Sequence, residues 1–216
     1  MLYPLRQSAI EFEVGGEPVQ GVLATPVDGA PPYPGVLICH AHPLFGGNMD
    51  SPVTFAICKA LAEHNVATLR FNFRPFREGA TEAGGSAARD VAGALDTLRA
   101  WREVKPKQCG VVGYSAGAAA MARGMNGLKD AKAFALISPP LSSIKGSPLS
   151  HDKRPRLFIV GSRDKIVAPA ELAALVEEMR PPVEIAEIAG PGHDMRGAEQ
   201  EVAARAAMFF GQFLRN

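Results

Sequence analysis

Cysteine is scarce in this chain, with three in 216 residues. Cys39 and Cys109 fall inside apolar, strand-like runs and Cys58 inside a helical pattern. All three are therefore expected to be free, buried and inert, which excludes a disulfide framework. No C-x-x-C and no H-E-x-x-H occurs, so a zinc site has no support. Net charge is equally scarce, a formal +1 at neutral pH, and nothing draws the chain electrostatically to nucleic acid or to a membrane. No apolar stretch reaches the roughly 18 residues that a spanning helix needs. Met1-Leu2-Tyr3-Pro4-Leu5-Arg6 lacks a basic region followed by an apolar core, so no signal peptide is expected and the cytoplasm is the default location. What is present, 47% apolar and 21% charged residues, is the composition of a globular protein. The length suits one domain over residues 1–216.

Residues 10–14 and 19–24 alternate between apolar and polar around Gly15-Gly16-Glu17, which predicts a hairpin. Residues 35–39 form a continuous apolar run, the pattern of a strand buried on both faces. The loop His40-Ala41-His42-Pro43-Leu44-Phe45-Gly46-Gly47 follows, then a helix capped by Asp50 or Ser51 with Pro52 in its first turn. Residues 66–73 read as a strand in which Arg70 and Asn72 require polar partners or water. A loop over 74–85 leads to a helix from Ser86 to Trp101, with Val91, Leu95 and Leu98 on one face. Strands at 108–114, 133–137, 156–161 and 183–189 alternate with helices at 116–125, 169–179 and 198–214. Residues 141–155 show no period and read as an exposed connection. The alternation predicts an α/β fold, a mostly parallel, doubly wound sheet with an N-terminal antiparallel hairpin and helices on both faces. No segment is long enough for a cap domain.

The chain is organised around Gly113-Tyr114-Ser115-Ala116-Gly117. An apolar strand precedes it and a small-residue helix follows, which is the context a G-x-S-x-G nucleophile elbow needs. At so sharp a turn a side chain at either glycine would strike neighbouring backbone. In a parallel sheet the working groups lie beyond the carboxyl ends of the strands. Those loops present Ser115, Asp164 and His193 in that order, Asp164 in Gly-Ser-Arg-Asp and His193 in Gly-Pro-Gly-His. A serine hydroxyl needs a base within hydrogen-bond reach. His193 suits that role near neutrality, and Asp164 would orient the imidazole and stabilise its charged form. Asp164 could instead cap the helix near Pro169. Asp194 is a rival acid, although a sequence neighbour rarely turns back onto its own histidine.

These residues, together with His40-Ala41-His42-Pro43-Leu44-Phe45-Gly46-Gly47-Asn48-Met49 and Leu69-Arg70-Phe71-Asn72-Phe73-Arg74, make the chain resemble the α/β-hydrolase superfamily. Within it the chain is similar to small, cap-less serine hydrolases of the dienelactone hydrolase-like group. Two departures stand out. Pro75-Phe76-Arg77-Glu78 occupies the place of a Gly-x-Gly-x-Ser turn, and the nucleophile is serine where dienelactone hydrolases proper have cysteine. The resemblance implies no cofactor and an oxyanion hole of two amides. Ala116, next to the nucleophile, would supply one. Leu44 would supply the other, with His42 as the alternative, since Pro43 has no N–H. His40 and His42 flank one residue as metal ligands might, but no third ligand follows, and hydrogen bonding that shapes the loop is the expected role of both.

Arg74 and Arg77 stand on the active-site side, where one could pair with a substrate carboxylate or both could be structural. They join His42 and Tyr114 as candidate substrate-binding residues. The function expected is cleavage of a small carboxylic ester or thioester through an acyl-enzyme on Ser115. A peptidase or amidase of the same fold, and a non-catalytic binding protein, are the alternatives. The aromatic residues Phe209, Phe210 and Phe213 on the last helix mark a possible homodimer face.

Overall fold

The computed structural model describes residues 5–74 and 84–215. Eight strands form one sheet in the order β1-β2-β4-β3-β5-β6-β7-β8. They are β1 (Leu5–Val14), β2 (Glu17–Pro26), β3 (Tyr33–Cys39), β4 (Ala67–Phe71), β5 (Val104–Tyr114), β6 (Ala131–Ile137), β7 (Arg156–Gly161) and β8 (Val183–Ile188). β1 pairs antiparallel with β2, and β2 antiparallel with β4. Every other pairing is parallel. The hairpin is longer than its alternation suggested, and it turns on Gly15 and Gly16 at φ 62° and 79°, a left-handed pair that glycine adopts without a Cβ clash.

Continuous apolar strands are explained by cover on both sides. Leu37 and Cys39 of β3 and Val111 of β5 pack with α2 (Gly84–Ala100), α3 (Ala116–Arg123) and α5 (Pro169–Glu177). Val36, Ile38 and Val112 face the opposite way, onto α1 (Pro52–Glu63) and α6 (Glu199–Phe213). A short α4 (Leu141–Ile144) lies between β6 and β7. No helix among the described residues is long and apolar enough to cross a membrane.

Three expectations are revised. β4 stops at Phe71: the Asn72 amide still reaches the Gln20 carbonyl of β2, but the amides of Phe73 and Arg74 go to the side chains of His40 and Asp90 rather than to a strand. The connection before β7 is not simply exposed, since Ile144 and Leu149 are fully buried. On α6, Phe209 and Phe210 are buried in the layer shared with α1, so the aromatic surplus expected at its surface is spent inside. Arg70 has the polar partners its strand required, bonding Asp50 and Gln7. The three cysteines are free and buried, and burial pushes the thiols up, that of Cys109 to about 12.

Candidate active site

Ser115 sits where β5 hands over to α3, at φ 50° and ψ −108°. For a non-glycine residue this backbone costs about 1–3 kcal/mol and persists only when its surroundings enforce it. They do so through the two flanking glycines. A Cβ at Gly113 would lie 2.7 Å from the backbone of Ala118, and one at Gly117 would lie 2.4 Å from the Cys39 carbonyl oxygen. The first turn of α3 can therefore lie directly against the end of β3 only with glycine there.

The Ser115 hydroxyl is 2.9 Å from His193 Nε2. His193 Nδ1 is 2.9 Å from Asp164 Oδ2. The Asp164 carboxylate is wholly removed from solvent, and its Oδ1 also accepts from the amides of Ile166 and Val167 at 2.9 and 2.8 Å. The aspartate faces the imidazole and organises the loop before α5, but it does not cap that helix, whose N-cap is Ala168 with no side-chain bond. Asp194 turns away and meets the Arg196 amide and guanidinium.

The loops carrying the acid and the base are laced together. The Arg163 amide donates to the Pro191 carbonyl at 3.0 Å, and the Gly190 amide to Ser162 Oγ at 2.9 Å. Gly161 lets them close, since a Cβ there would meet the Pro191 carbonyl at 2.4 Å. The Tyr114 hydroxyl donates to the His193 carbonyl at 2.6 Å. Burial pushes this phenol well above its ordinary value, with Asp194, Asp164 and Glu199 adding to the effect, so Tyr114 remains a donor at neutral pH.

A cavity of about 710 Å³ opens over Ser115 and His193, with walls that include Pro52, Val53, Pro140 and Ile166. A smaller one of about 200 Å³ lies on the α3 side, against Phe73, Ala87, Ala119, Ala120 and Arg123. His42, Ala116 and Pro140 border both. Among the described residues no group of three or more His, Cys, Asp or Glu side chains could hold a metal ion.

No family model matches the sequence. An uncharacterised protein of Rickettsia prowazekii is 28% identical over 155 residues, which are 69% of this chain and 65% of that protein, so the match spans just under two thirds of the curated relative's length. A serine hydrolase without a lid from Xanthomonas campestris superimposes with a TM-score of 0.82 at 21% identity, over 100% of this chain and 99% of that one. A dienelactone hydrolase from Anabaena variabilis gives 0.81 at 23% identity, covering 98% and 100%. An α/β serine hydrolase homologue from Coxiella burnetii gives 0.79 at 24%, covering 93% and 96%. The chain has the α/β-hydrolase fold.

Within the α/β-hydrolase fold the remaining candidates separate. His42 and Tyr114 line the larger cavity. Arg74 does not, and its assignment to substrate is corrected: only 13% of its side chain is exposed, and it pairs with Asp90 and Glu17 and donates to the Val14 carbonyl. A guanidinium whose donors are already used by two carboxylates and a carbonyl is structural. Arg77 lies outside the described residues, as does the Pro75–Glu78 departure. Leu44 also moves. Its amide donates to His42 Nδ1 at 3.1 Å, and its side chain is 83% exposed outside the cavity walls. A backbone has one N–H, and that of Leu44 is engaged by His42, while the alternative donor, His42, lines the larger cavity.

His40 serves neither a metal nor the cavity. It is buried, with Nδ1 2.6 Å from the Ala41 carbonyl and Nε2 3.2 Å from the Phe73 amide. A carbonyl can only accept and an amide can only donate, so the ring is neutral with its proton on Nδ1. Burial lowers its pKa and the neighbouring His42 adds to this, against the pull of the Ala41 bond. The sequence reading missed Ile166 and the Pro52–Val53 wall. A bulky apolar residue two positions after the candidate acid was the available signal.

Proposed function

We propose that the protein is a serine hydrolase that cleaves a small carboxylic ester or thioester. The observation that carries this is the unbroken chain of hydrogen bonds from Ser115 Oγ through His193 to a fully desolvated Asp164, at the floor of an open cavity. His193 Nε2 takes the hydroxyl proton as Ser115 attacks the carbonyl carbon. The Asp164 carboxylate holds the proton of Nδ1 and stabilises the imidazolium that forms. The amides of Ala116 and His42 receive the developing oxyanion, and a single such donor is worth about 3 kcal/mol in comparable sites. The imidazolium then protonates the leaving alcohol or thiol. Water enters, His193 removes its proton, and the acid departs from Ser115. No step calls for a metal or a cofactor. A cytoplasmic setting, the absence of nucleic-acid and membrane partners, and a single domain belong to the same reading, and the formal charge of +1 supports the absence of those partners. A homodimer would be settled by light scattering.

The test is labelling by a fluorophosphonate. Wild type labels, Ser115→Ala does not, and Asp164→Asn labels far more slowly. A folded wild type that stays unlabelled would overturn the proposal and bring a non-catalytic binding role forward.

A further inference from the structure

Two cavities meet beside the nucleophile, at His42, Ala116 and Pro140, and they differ in what they offer the reaction. Ser115 and His193 line the larger one and not the smaller, which opens past Ala116, the residue next to the nucleophile. The group that leaves must receive its proton from His193 Nε2 and so must lie within hydrogen-bond reach of that ring. The acyl arm stays on the carbon bonded to Ser115 Oγ and has no such requirement. Resting on the serine hydrolase reading, we infer that the site is partitioned at Ala116: the smaller cavity receives the acyl arm, the larger the leaving group, and the substrate class is esters or thioesters of short acids with bulky, apolar alcohols or thiols.

Volume and chemistry of the walls agree. At a liquid-like share of about 30 Å³ per water-sized group, the smaller cavity, of about 200 Å³, holds a short chain. The larger, of about 710 Å³, is in the range of sites that enclose a sizeable organic group. Ala119 and Ala120 line the smaller space from α3, and Phe73 faces it from beyond β4. The larger has Pro52, Val53 and Ile166. Ile166 is 71% exposed, an unusual position for so large an apolar side chain. Its backbone is nevertheless fixed, because its amide and that of the buried Val167 both donate to Asp164. A rigidly presented isoleucine beside the base gains cover when an apolar leaving group binds, with no loop to order first.

The experiment separates the two arms of the substrate. Ethyl and 2-(2-naphthyl)ethyl esters have leaving groups of similar basicity and different size, and each is made as acetate, butyrate and octanoate. Wild type should favour the naphthylethyl acetate over ethyl acetate by roughly tenfold, and octanoates should be the poorest of each series. Ile166→Ala should remove about fivefold of the naphthylethyl preference and leave the acyl-length profile alone. Ala119→Val should lower butyrate relative to acetate by about tenfold and leave the alcohol preference alone. Should Ala119→Val fail to fold, Phe73→Leu is the converse test: it enlarges the same space and should move the fall-off to longer acyl chains. The partition is overturned if Ile166→Ala changes acyl-length selectivity, if the Ala119 or Phe73 variants change alcohol selectivity, or if neither set changes either. Fluorophosphonate labelling of the same preparations distinguishes this from failure of the underlying reading, since a wrong partition leaves Ser115 labelled and an absent nucleophile does not.

Discussion

The two sides of Ser115 are built by different means. On the β7–β8 side, polar side chains stand at the ends of strands and are aimed by backbone: Asp164 carries two loop amides, and the loop bearing His193 is tied to the Asp164 loop by main-chain bonds and to Tyr114 by its hydroxyl. On the β3–β4 side, polar side chains serve the backbone instead. His40 holds the Phe73 amide, His42 holds the Leu44 amide, and Arg74 joins β1, β2 and α2 through Val14, Glu17 and Asp90. The lesson is that a conspicuous histidine or arginine at a strand's carboxyl end is equally available to chemistry and to scaffolding. Which role it takes is decided by whether its donors and acceptors are already used.

Changes on the first side should strike the reaction, and changes on the second should strike stability. The largest effect is expected at Asp164. Asp164→Asn preserves shape but reverses the demand on His193 Nδ1, since an amide nitrogen turned toward the ring favours the wrong tautomer. In comparable triads this lowers kcat by about 10⁴. Burst kinetics with an activated ester checks it, and a loss under tenfold would remove Asp164 from the role of acid.

Arg74→Ala is next and should act on the other quantity. It leaves the Asp90 carboxylate, 1% exposed, without its guanidinium. Removing one partner of a buried pair costs about 3 kcal/mol, which for a chain of this size lowers Tm by roughly 6–12 °C. The ratio of rates on neutral and anionic esters should not move. A selective loss on anionic esters would return Arg74 to the substrate.

The same contrast accounts for how much could be read from residues alone. The doubly wound sheet, the elbow and the Ser115-Asp164-His193 order were legible because each rests on a local rule: apolar runs for buried strands, glycine where backbone approaches backbone, and polar residues at strand ends. Gly113 and Gly117 show the rule acting, each with backbone where a Cβ would stand. Leu44 and Arg74 were misplaced for the opposite reason. Their roles depend on partners far away in sequence or on a competing side chain, His42 in one case and Asp90 with Glu17 in the other. The end of β4 was misjudged in the same way, because only the folded neighbourhood offers the side chains of His40 and Asp90 to the amides of Phe73 and Arg74 in place of a strand.

His40 sharpens the comparison through pH. Its folded-state pKa lies below its ordinary value of 6.5, chiefly through burial. Between that value and the lower folded one, the unfolded chain binds a proton that the folded chain refuses. Stability therefore falls as pH drops below about 6.5, with a slope of at most about 1.4 kcal/mol per pH unit, and falls no further once pH passes the folded value. Denaturant melts of wild type and His40→Asn between pH 7 and 4 measure it, and the variant should lose this part of the slope. Equal slopes in both proteins would mean that His40 titrates normally and that its bond to the Phe73 amide does not hold the loop.

Tyr114→Phe is the mildest change and the most discriminating, because Tyr114 belongs to the elbow strand yet acts on the His193 loop. The substitution removes one hydrogen bond to the His193 carbonyl, at a cost of about 1–1.5 kcal/mol. The ring still fills its place, so the cavity wall and the volume beside Ser115 are kept. What is lost is the anchor that keeps the imidazole over Oγ. The rate of fluorophosphonate labelling should fall several-fold, while Tm falls less than in Arg74→Ala. If the two variants instead lost labelling in proportion to stability, both sides of Ser115 would act on the reaction only through the fold, and the division between an aiming side and a scaffolding side would fail.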